Sequence, residues 1–147
     1  MFESYTEKAL RTLFFARAEA SEFGSSCIDS QHLLLGLLRE HKALVKLFPK
    51  PDIALDMVRK HIEEHSTVRE KISTSIDLPI SDECQRILLR ASEEAELMGH
   101  KYIGTEHLLL GILGEQGSYV GSLLNENGLF LDSVREQMKR TDRTLRS

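Results

Sequence analysis

Residues 28–38 read IDSQHLLLGLL, and 75 positions later residues 103–113 read IGTEHLLLGIL. Seven of these eleven positions are identical, and three of the other four are conservative exchanges. The same offset, without a gap, also aligns the preceding segments, where the matched pairs include Thr6 with Ser81, Leu13 with Leu88 and Gly24 with Gly99. Self-similarity at a fixed period indicates repeated structural units. The chain therefore consists of two copies of one unit of roughly 65 residues.

The first segment of each unit has the pattern of an amphipathic helix. In the first unit Thr6 is suited to cap the helix N-terminus, apolar residues follow at a spacing of about 3.6, and Gly24 ends the helix. The second unit shows the same features between Ser81 and Gly99. Each unit is therefore predicted to open with a helix of similar length.

The repeated motifs begin the second helix of each unit, and Ser30 and Thr105 are predicted to be their N-caps. Their leucine-rich bodies are too apolar to face water, so we expect them at the centre of the fold. Gly36 and Gly111 lie in the middle of these helices, where glycine costs about 1 kcal/mol relative to alanine. Their duplication predicts the close approach of a neighbouring helix.

Two further helices are predicted in each unit, near residues 42–48 and 52–64 in the first and about 118–126 and 130–140 in the second. Ser/Thr, β-branched residues and Pro79 predict an extended linker between the units. The expected organisation is a first repeat over residues 1–65, a linker over 66–80, a second repeat over 81–140 and a basic tail over 141–147. The predicted fold is all-α, with about eight helices in two four-helix repeats related by a pseudo-twofold axis.

The composition favours an ordinary soluble domain. Of the 147 residues, 41% are hydrophobic and 29% are charged, and the net charge is −4. This charge gives no electrostatic argument for nucleic acid as a partner, and no apolar run approaches the roughly 20 residues of a membrane span. Cys27 and Cys84 show neither a metal-binding spacing nor a disulfide framework. We expect a cytoplasmic protein that needs no metal or cofactor and binds neither nucleic acid nor membrane.

The doubled E/Q-H-L-L-L-G motif resembles the N-terminal repeat domain of Clp-type AAA+ unfoldases, most closely the ClpC branch. The resemblance runs from Met1 to about Met138, nearly the whole chain. It implies a double Clp N motif that sits on an ATPase ring and receives adaptor proteins and protein substrates for the Clp protease. The ring would be carried in cis by a longer unfoldase, or in trans if this chain is a free-standing accessory subunit.

Some ClpC-type domains bind phosphorylated arginine, and the resemblance implies a site for it here. The motif glutamate that pairs with the ligand's guanidinium group corresponds to Glu106 in the second unit and to Gln31 in the first. Phosphoarginine needs a carboxylate for its planar cation and donors for its phosphoryl group. Because helix starts supply such donors, we expect Glu106 and Thr105 to act with Ser81, and Gln31 with Thr6.

These assignments have structural alternatives. An acidic residue such as Glu106 in a first helical turn also stabilises the helix dipole. Gln31 is neutral, so it cannot form the charge-assisted hydrogen bond to a guanidinium group that a glutamate forms, which is worth roughly 1.5–3 kcal/mol. The resemblance also assigns aromatic residues near the N-terminus to an adaptor-binding surface. These residues are Phe2 and Tyr5, which would otherwise only staple the first helix.

No catalytic centre is predicted. The chain contains no G-x-x-x-x-G-K-[ST] string, so it carries no P-loop ATPase. His61, Glu64 and His65 match a zinc-binding H-x-x-E-H pattern, but the pattern occurs once, at the polar end of a helix, and makes a zinc-dependent hydrolase the weaker alternative. His32 and His107 occur in both units, which predicts a shared structural role at the helix starts.

Overall fold

The computed structural model describes residues 4–146, with side chains described as far as Thr141. The first unit contains α1 (Glu7–Glu22), α2 (Ser30–Glu40), α3 (Lys42–Val45) and α4 (Ala54–His65), the last preceded by a 3-10 turn over Pro51–Ile53. The second unit contains α5 (Asp82–Leu97), α6 (Thr105–Gly114), α7 (Tyr119–Glu126) and α8 (Leu131–Arg146). Within residues 4–146 the only β-pairing consists of two isolated bridges, so the predicted all-α fold is confirmed.

The predicted limits of α1 and α5 are confirmed. The Thr6 hydroxyl oxygen accepts a hydrogen bond from the backbone N–H of Ala9 at 3.1 Å, and Ser81 caps α5 in the same way. Gly24 and Gly99 follow the two helices with φ angles of +66° and +70°. This left-handed backbone ends a helix at little cost only when the residue has no Cβ.

The predicted N-caps of α2 and α6 are wrong by one residue. Asp29, and not Ser30, caps α2, since its carboxylate accepts a hydrogen bond from the Ser30 N–H at 2.8 Å. In the second unit the N-cap is Gly104, and Thr105 is already helical. A glycine offers no side-chain oxygen to cap the helix, which is why the sequence pointed to the following threonine.

The motif histidines explain how both helix starts are nevertheless stabilised. His32 Nδ1 accepts the backbone N–H of Asp29 at 2.9 Å, and His107 Nδ1 accepts that of Gly104 at 2.8 Å. Both rings are almost fully buried. The predicted structural role of the two histidines is therefore confirmed, and each one takes the part that a glutamate or glutamine takes in an ordinary capping box.

Helices α2 and α6 lie at the centre of the fold, as predicted. Leu33, Leu34 and Leu35 of α2 and Leu108 and Leu110 of α6 have no exposed surface. The apolar side chains of the two units form one contiguous core. Helices α2 and α6 contact each other within this core, so the two repeats share it.

The two mid-helix glycines allow neighbouring helices to approach closely. A Cβ on Gly36 would lie 2.5 Å from the carbonyl oxygen of Thr12 in α1. A Cβ on Gly111 would lie 2.5 Å from the carbonyl oxygen of Ile87 in α5. Both distances are far shorter than van der Waals contact, so the predicted close packing of helix on glycine is confirmed in both units.

Two predicted helix ends are corrected. Helix α3 ends at Val45 rather than near residue 48, because tight turns after it bring Phe48 into the core. Helix α8 continues to Arg146 instead of ending near residue 140. No glycine or proline follows Leu131 to stop it, so most of the predicted tail continues the last helix. Among the described helices none has the length and apolar content required to cross a membrane.

Candidate ligand site at the paired helix starts

The start of α1 lies against the motif of the other unit. The backbone N–H of Thr6 donates to the carbonyl oxygen of Ile103 at 2.9 Å, and the N–H of Ile103 donates to that of Ser4 at 2.8 Å. These bonds form a parallel bridge between Tyr5 and Ile103. The first helix of unit one therefore begins directly beside the helix that carries Glu106.

The start of α5 lies in the same way against the motif of the first unit. The N–H of Ser81 donates to the carbonyl oxygen of Ile28 at 2.9 Å, and the N–H of Ile28 donates to that of Pro79 at 2.8 Å. At the 75-residue offset these bonds are the equivalents of those around Ile103. The two units are thus joined by a crossed, pseudo-symmetric pair of bridges.

This crossing corrects the predicted grouping of site residues. Thr105 and Glu106 lie with Thr6, whereas Ser81 lies with Gln31. The sequence shows which positions are equivalent, but it does not show which helix start lies beside which motif. The structure therefore describes two candidate sites, named here the Glu106 site and the Gln31 site.

The Glu106 carboxylate is half-buried and folds back over the N-cap of its own helix. A Cβ on Gly104 would lie 2.5 Å from its Oε1, and the Thr105 hydroxyl donates to its Oε2 at 3.2 Å. In the first unit Asp29 occupies the N-cap, and its Oδ1 accepts from the Ser81 hydroxyl at 2.7 Å. Each motif thus places one carboxylate at its helix start. The first motif has Asp29 with the neutral Gln31, and the second has Glu106 with Gly104 at the N-cap.

The Glu106 site opens into a cavity of about 430 Å³ between α3, α6 and α8. Its walls are mostly apolar and include Leu44, Leu109 and Met138. His41 lies at its edge, with a buried Nδ1 that has no hydrogen-bond partner among the described residues. Burial lowers the pKa of His41, the negative charge of Glu106 opposes this shift, and the positive charge of Lys8 adds to it.

His41 and Lys8 were not predicted from the sequence as neighbours of the Glu106 site. Neither residue belongs to the repeated motif, and both come from the other unit, so no local pattern points to them. Lys8 lies in the first turn of α1, close enough for its charge to act on His41. The Glu106 site therefore has one carboxylate in its wall, and the positive charge of Lys8 acts on His41 at its edge.

The Gln31 site opens into a more polar cavity of about 680 Å³, bordered by the linker residues Thr67 and Arg69. Glu83 also borders this cavity and accepts a hydrogen bond from the Ser30 hydroxyl. At the 75-residue offset Glu83 is the equivalent of Lys8. The Gln31 site thus has an amide, Gln31, and a carboxylate, Glu83, where the equivalent positions of the sequence are a carboxylate, Glu106, and a lysine, Lys8.

The two aromatic residues predicted for an adaptor surface have different outcomes. Tyr5 is only 7% exposed and belongs to the core, so its assignment to a docking surface is wrong. Its backbone is held in the bridge to Ile103, and its side chain belongs to the core. Phe2 lies outside the described residues.

The zinc-like pattern at the end of α4 is engaged in packing. The His65 ring stacks on the Tyr119 ring with centroids 3.6 Å apart, and the Tyr119 hydroxyl donates to the carbonyl oxygen of His61 at 3.1 Å. No group of three or more potential metal ligands is found in the described part of the chain. The contacts of His61 and His65 connect the first unit to α7 of the second.

Comparisons with known proteins place this architecture in a family. The family model of the Clp repeat N-terminal domain matches residues 4–127. The chain belongs to this family. The chain is 33% identical over 141 residues to the chloroplastic chaperone protein ClpC of Pisum sativum, and 30% identical over 139 residues to ClpC/MecB of Bacillus subtilis, a negative regulator of genetic competence.

The solved structures agree with this assignment. The N-terminal domain of the chaperone ClpD from Arabidopsis thaliana is 27% identical with a TM-score of 0.72, and the match covers 92% of this chain and 95% of that one. The alignments cover 95% and 94% of this chain but only 15% and 17% of the Pisum and Bacillus relatives. The similarity to the Clp N-terminal repeat domain inferred from the doubled motif is confirmed.

Proposed function

We propose that this Clp N-terminal domain is a non-catalytic recognition domain that presents adaptor proteins and protein substrates to an AAA+ Clp unfoldase. Family membership, which rests on the match of residues 4–127, supports this role. The sequence contains no P-loop, so ATP-driven unfolding would come from a ring carried in cis or in trans. The same recognition surfaces would serve an unfoldase domain and a free-standing accessory subunit.

The Glu106 site is the proposed binding site for phosphoarginine on marked proteins. Its carboxylate suits the planar guanidinium group, because paired charge-assisted hydrogen bonds form in that geometry. The phosphoryl group would lie towards the positive ends of α1 and α6, near Thr6, Thr105 and Lys8. The meeting of two helix starts beside a half-buried carboxylate is the observation that carries this proposal.

The Gln31 site is proposed not to bind this ligand. The Asp29 carboxylate already accepts hydrogen bonds from Ser30 and Ser81, and Gln31 is neutral. Glu83 adds a negative charge that would repel a phosphoryl group. The charges of the two sites thus favour one phosphoarginine per chain.

Titration with free phosphoarginine, followed by amide NMR, tests this proposal. We expect saturable shifts at Thr6, Thr105 and Glu106, and little change at Ser81 and Gln31. The substitution Glu106→Gln should weaken binding by about 1.5–3 kcal/mol, the value of a lost charge-assisted hydrogen bond. Arginine and inorganic phosphate, titrated separately, serve as controls that show whether both halves of the ligand are needed.

Introducing the residues of the Glu106 site into the Gln31 site tests whether these charges determine binding. The triple variant Asp29→Gly, Gln31→Glu and Glu83→Lys gives the Gln31 site the residues of the Glu106 site, and we expect a second binding event with shifts at Ser81. The single variant Gln31→Glu should not achieve this, because Asp29 and Glu83 remain. Absence of binding to the natural chain at millimolar phosphoarginine would contradict the proposed ligand and leave adaptor docking as the function.

A further inference from the structure

The linker covers the end of α1 in the first unit. The backbone N–H of Arg69 donates to the carbonyl oxygen of Phe23 at 2.9 Å, and the N–H of Ile72 donates to that of Ser21 at 3.0 Å. Phe23 and Ser21 are both buried. An extended segment therefore docks on this helix end through its main chain.

The crossing point of this segment is Gly24. A Cβ on Gly24 would lie 2.3 Å from the carbonyl oxygen of Glu70, so only glycine leaves room for the linker. A salt bridge of 2.7 Å between Lys71 and Glu22 completes the contact. The first unit thus shows how an extended polypeptide segment packs on this helix end.

Among the described residues, no segment covers the equivalent end of α5. Apart from Gly99 itself and its two chain neighbours, no described residue has an atom within 4 Å of a Cβ built on Gly99, the counterpart of Gly24. Leu97, the counterpart of Glu22, is 80% exposed, and Tyr102 is 50% exposed. Among the described residues no backbone N–H bonds to the carbonyl oxygen of Met98, the counterpart of Phe23.

We propose that the α5 end, residues 97–102, is a docking surface for an extended segment of a partner polypeptide. The segment would cross Gly99 as the linker crosses Gly24, and its backbone would donate to the Met98 carbonyl oxygen. Main-chain hydrogen bonds of this kind give affinity, while side-chain contacts select the sequence. The internal repeat supplies the template for this binding mode.

The side chains around the α5 end define the segment that fits. Leu97 replaces the carboxylate that holds Lys71 in the first unit, so the partner residue at that position is apolar. Glu93 and Glu96 are exposed and form no ion pair among the described residues, which favours a basic residue beside the apolar one. The partner segment is therefore extended and combines an apolar with a basic side chain.

The α5 end also adjoins the Glu106 site. His107 Nδ1 accepts a hydrogen bond from the Gly104 N–H, so the neutral His107 ring carries its proton on Nε2. This Nε2–H donates to His100 Nδ1 at 2.8 Å. This contact holds His100 where it lines the Glu106 cavity. A segment bound at the α5 end could place its next residues in that cavity. Only this connection between the two sites rests on the proposed function, because docking at the α5 end is independent of it.

The linker itself supplies the probe for a test. We use a peptide with the sequence of residues 66–74, STVREKIST, and the same peptide with the Lys71→Leu change. In amide NMR titrations of the full chain, the leucine peptide is expected to shift the signals of residues 96–102 and to bind at least fivefold more tightly than the lysine peptide. No phosphoarginine is present in this titration. A failure of the peptide to bind is therefore distinct from a failure of phosphoarginine to bind near Thr6, Thr105 and Glu106.

Two surface variants make the test specific. Leu97→Glu restores the charge found at Glu22, and it is expected to reverse the preference in favour of the lysine peptide. Gly99→Asn, which tolerates a left-handed backbone, is expected to weaken both peptides at least tenfold by blocking the crossing. Unchanged amide spectra away from residues 96–102 verify folding. The proposal is overturned by absence of shifts at millimolar peptide, by binding indifferent to both variants, or by self-association of the chain that Leu97→Glu abolishes.

Discussion

The His32 imidazole shows how one buried side chain links stability to pH. Its ring is 1% exposed, packs edge-on against Phe23 and accepts a hydrogen bond from the Asp29 N–H. Burial lowers the pKa of His32 from 6.5 to about 4, although the charges of Asp29 and Glu19 oppose the shift. The folded state therefore holds this histidine neutral in a pH range where the unfolded chain protonates it.

We expect His32 to destabilise the fold progressively as the pH falls from 6.5 to about 4. In this window the unfolded state binds more protons, so the free energy of unfolding decreases with decreasing pH, by about 3 kcal/mol in total. Urea unfolding at several pH values should show a smaller decrease for His32→Asn, which keeps an acceptor for the Asp29 N–H. The exposed His61→Asn serves as control, and a constant difference between wild type and His32→Asn would refute the assignment.

A buried carboxylate in each unit holds the last helix of that unit. Glu19 is 2% exposed and pairs with Arg59 of α4, and Glu94 pairs with Arg135 of α8. We expect Glu19→Gln to lower the free energy of unfolding by about 1.5–3 kcal/mol, because it removes charge-assisted hydrogen bonds from a buried site. Denaturant titration measures this loss. The exposed Glu64→Gln on α4 should change stability by less than about 0.5 kcal/mol.

Helix packing on glycine is testable at the level of the α5–α6 pair. A Cβ on Gly111 would lie 2.5 Å from the Ile87 carbonyl oxygen, and backbone cannot move aside without shifting a helix. We expect Gly111→Ala to cost about 1–3 kcal/mol, the range of overpacking in cores. Gly114→Ala in the same helix meets only the flexible Arg90 side chain at 3.5 Å and should be neutral or stabilising. Equal effects in chemical denaturation would contradict the close approach.

The helices were predictable because their determinants are local. Apolar spacing and caps at Thr6 and Ser81 identify α1 and α5, and the leucine runs identify α2 and α6. The caps at Asp29 and Gly104 were missed because the stabilising partner is a histidine three residues later, an uncommon member of a capping box. The length of α8 was underestimated since no residue in its sequence marks an end.

The arrangement of the whole molecule was only partly predictable. The repeat predicts that Thr6 and Ser81 are equivalent, and that Gln31 and Glu106 are equivalent. It does not predict that each helix start lies against the other unit's motif, because both pairings satisfy the same local pattern. Long-range closure of the core decides between them, and this closure also brings Lys8 and His41 to the Glu106 site.

The crossed bridges predict that neither unit folds alone. Without the second unit, Ile28 loses both bonds to residues 79 and 81, and the fully buried leucines of α2 lose their cover from the second unit. Fragments 1–75 and 76–147 should therefore each show little helical circular dichroism, whereas an equimolar mixture should recover helicity and dispersed NMR signals. The intact chain should unfold in one transition, as expected of a single cooperative core. A fragment that unfolds cooperatively by itself would show that the repeats are independent domains held side by side.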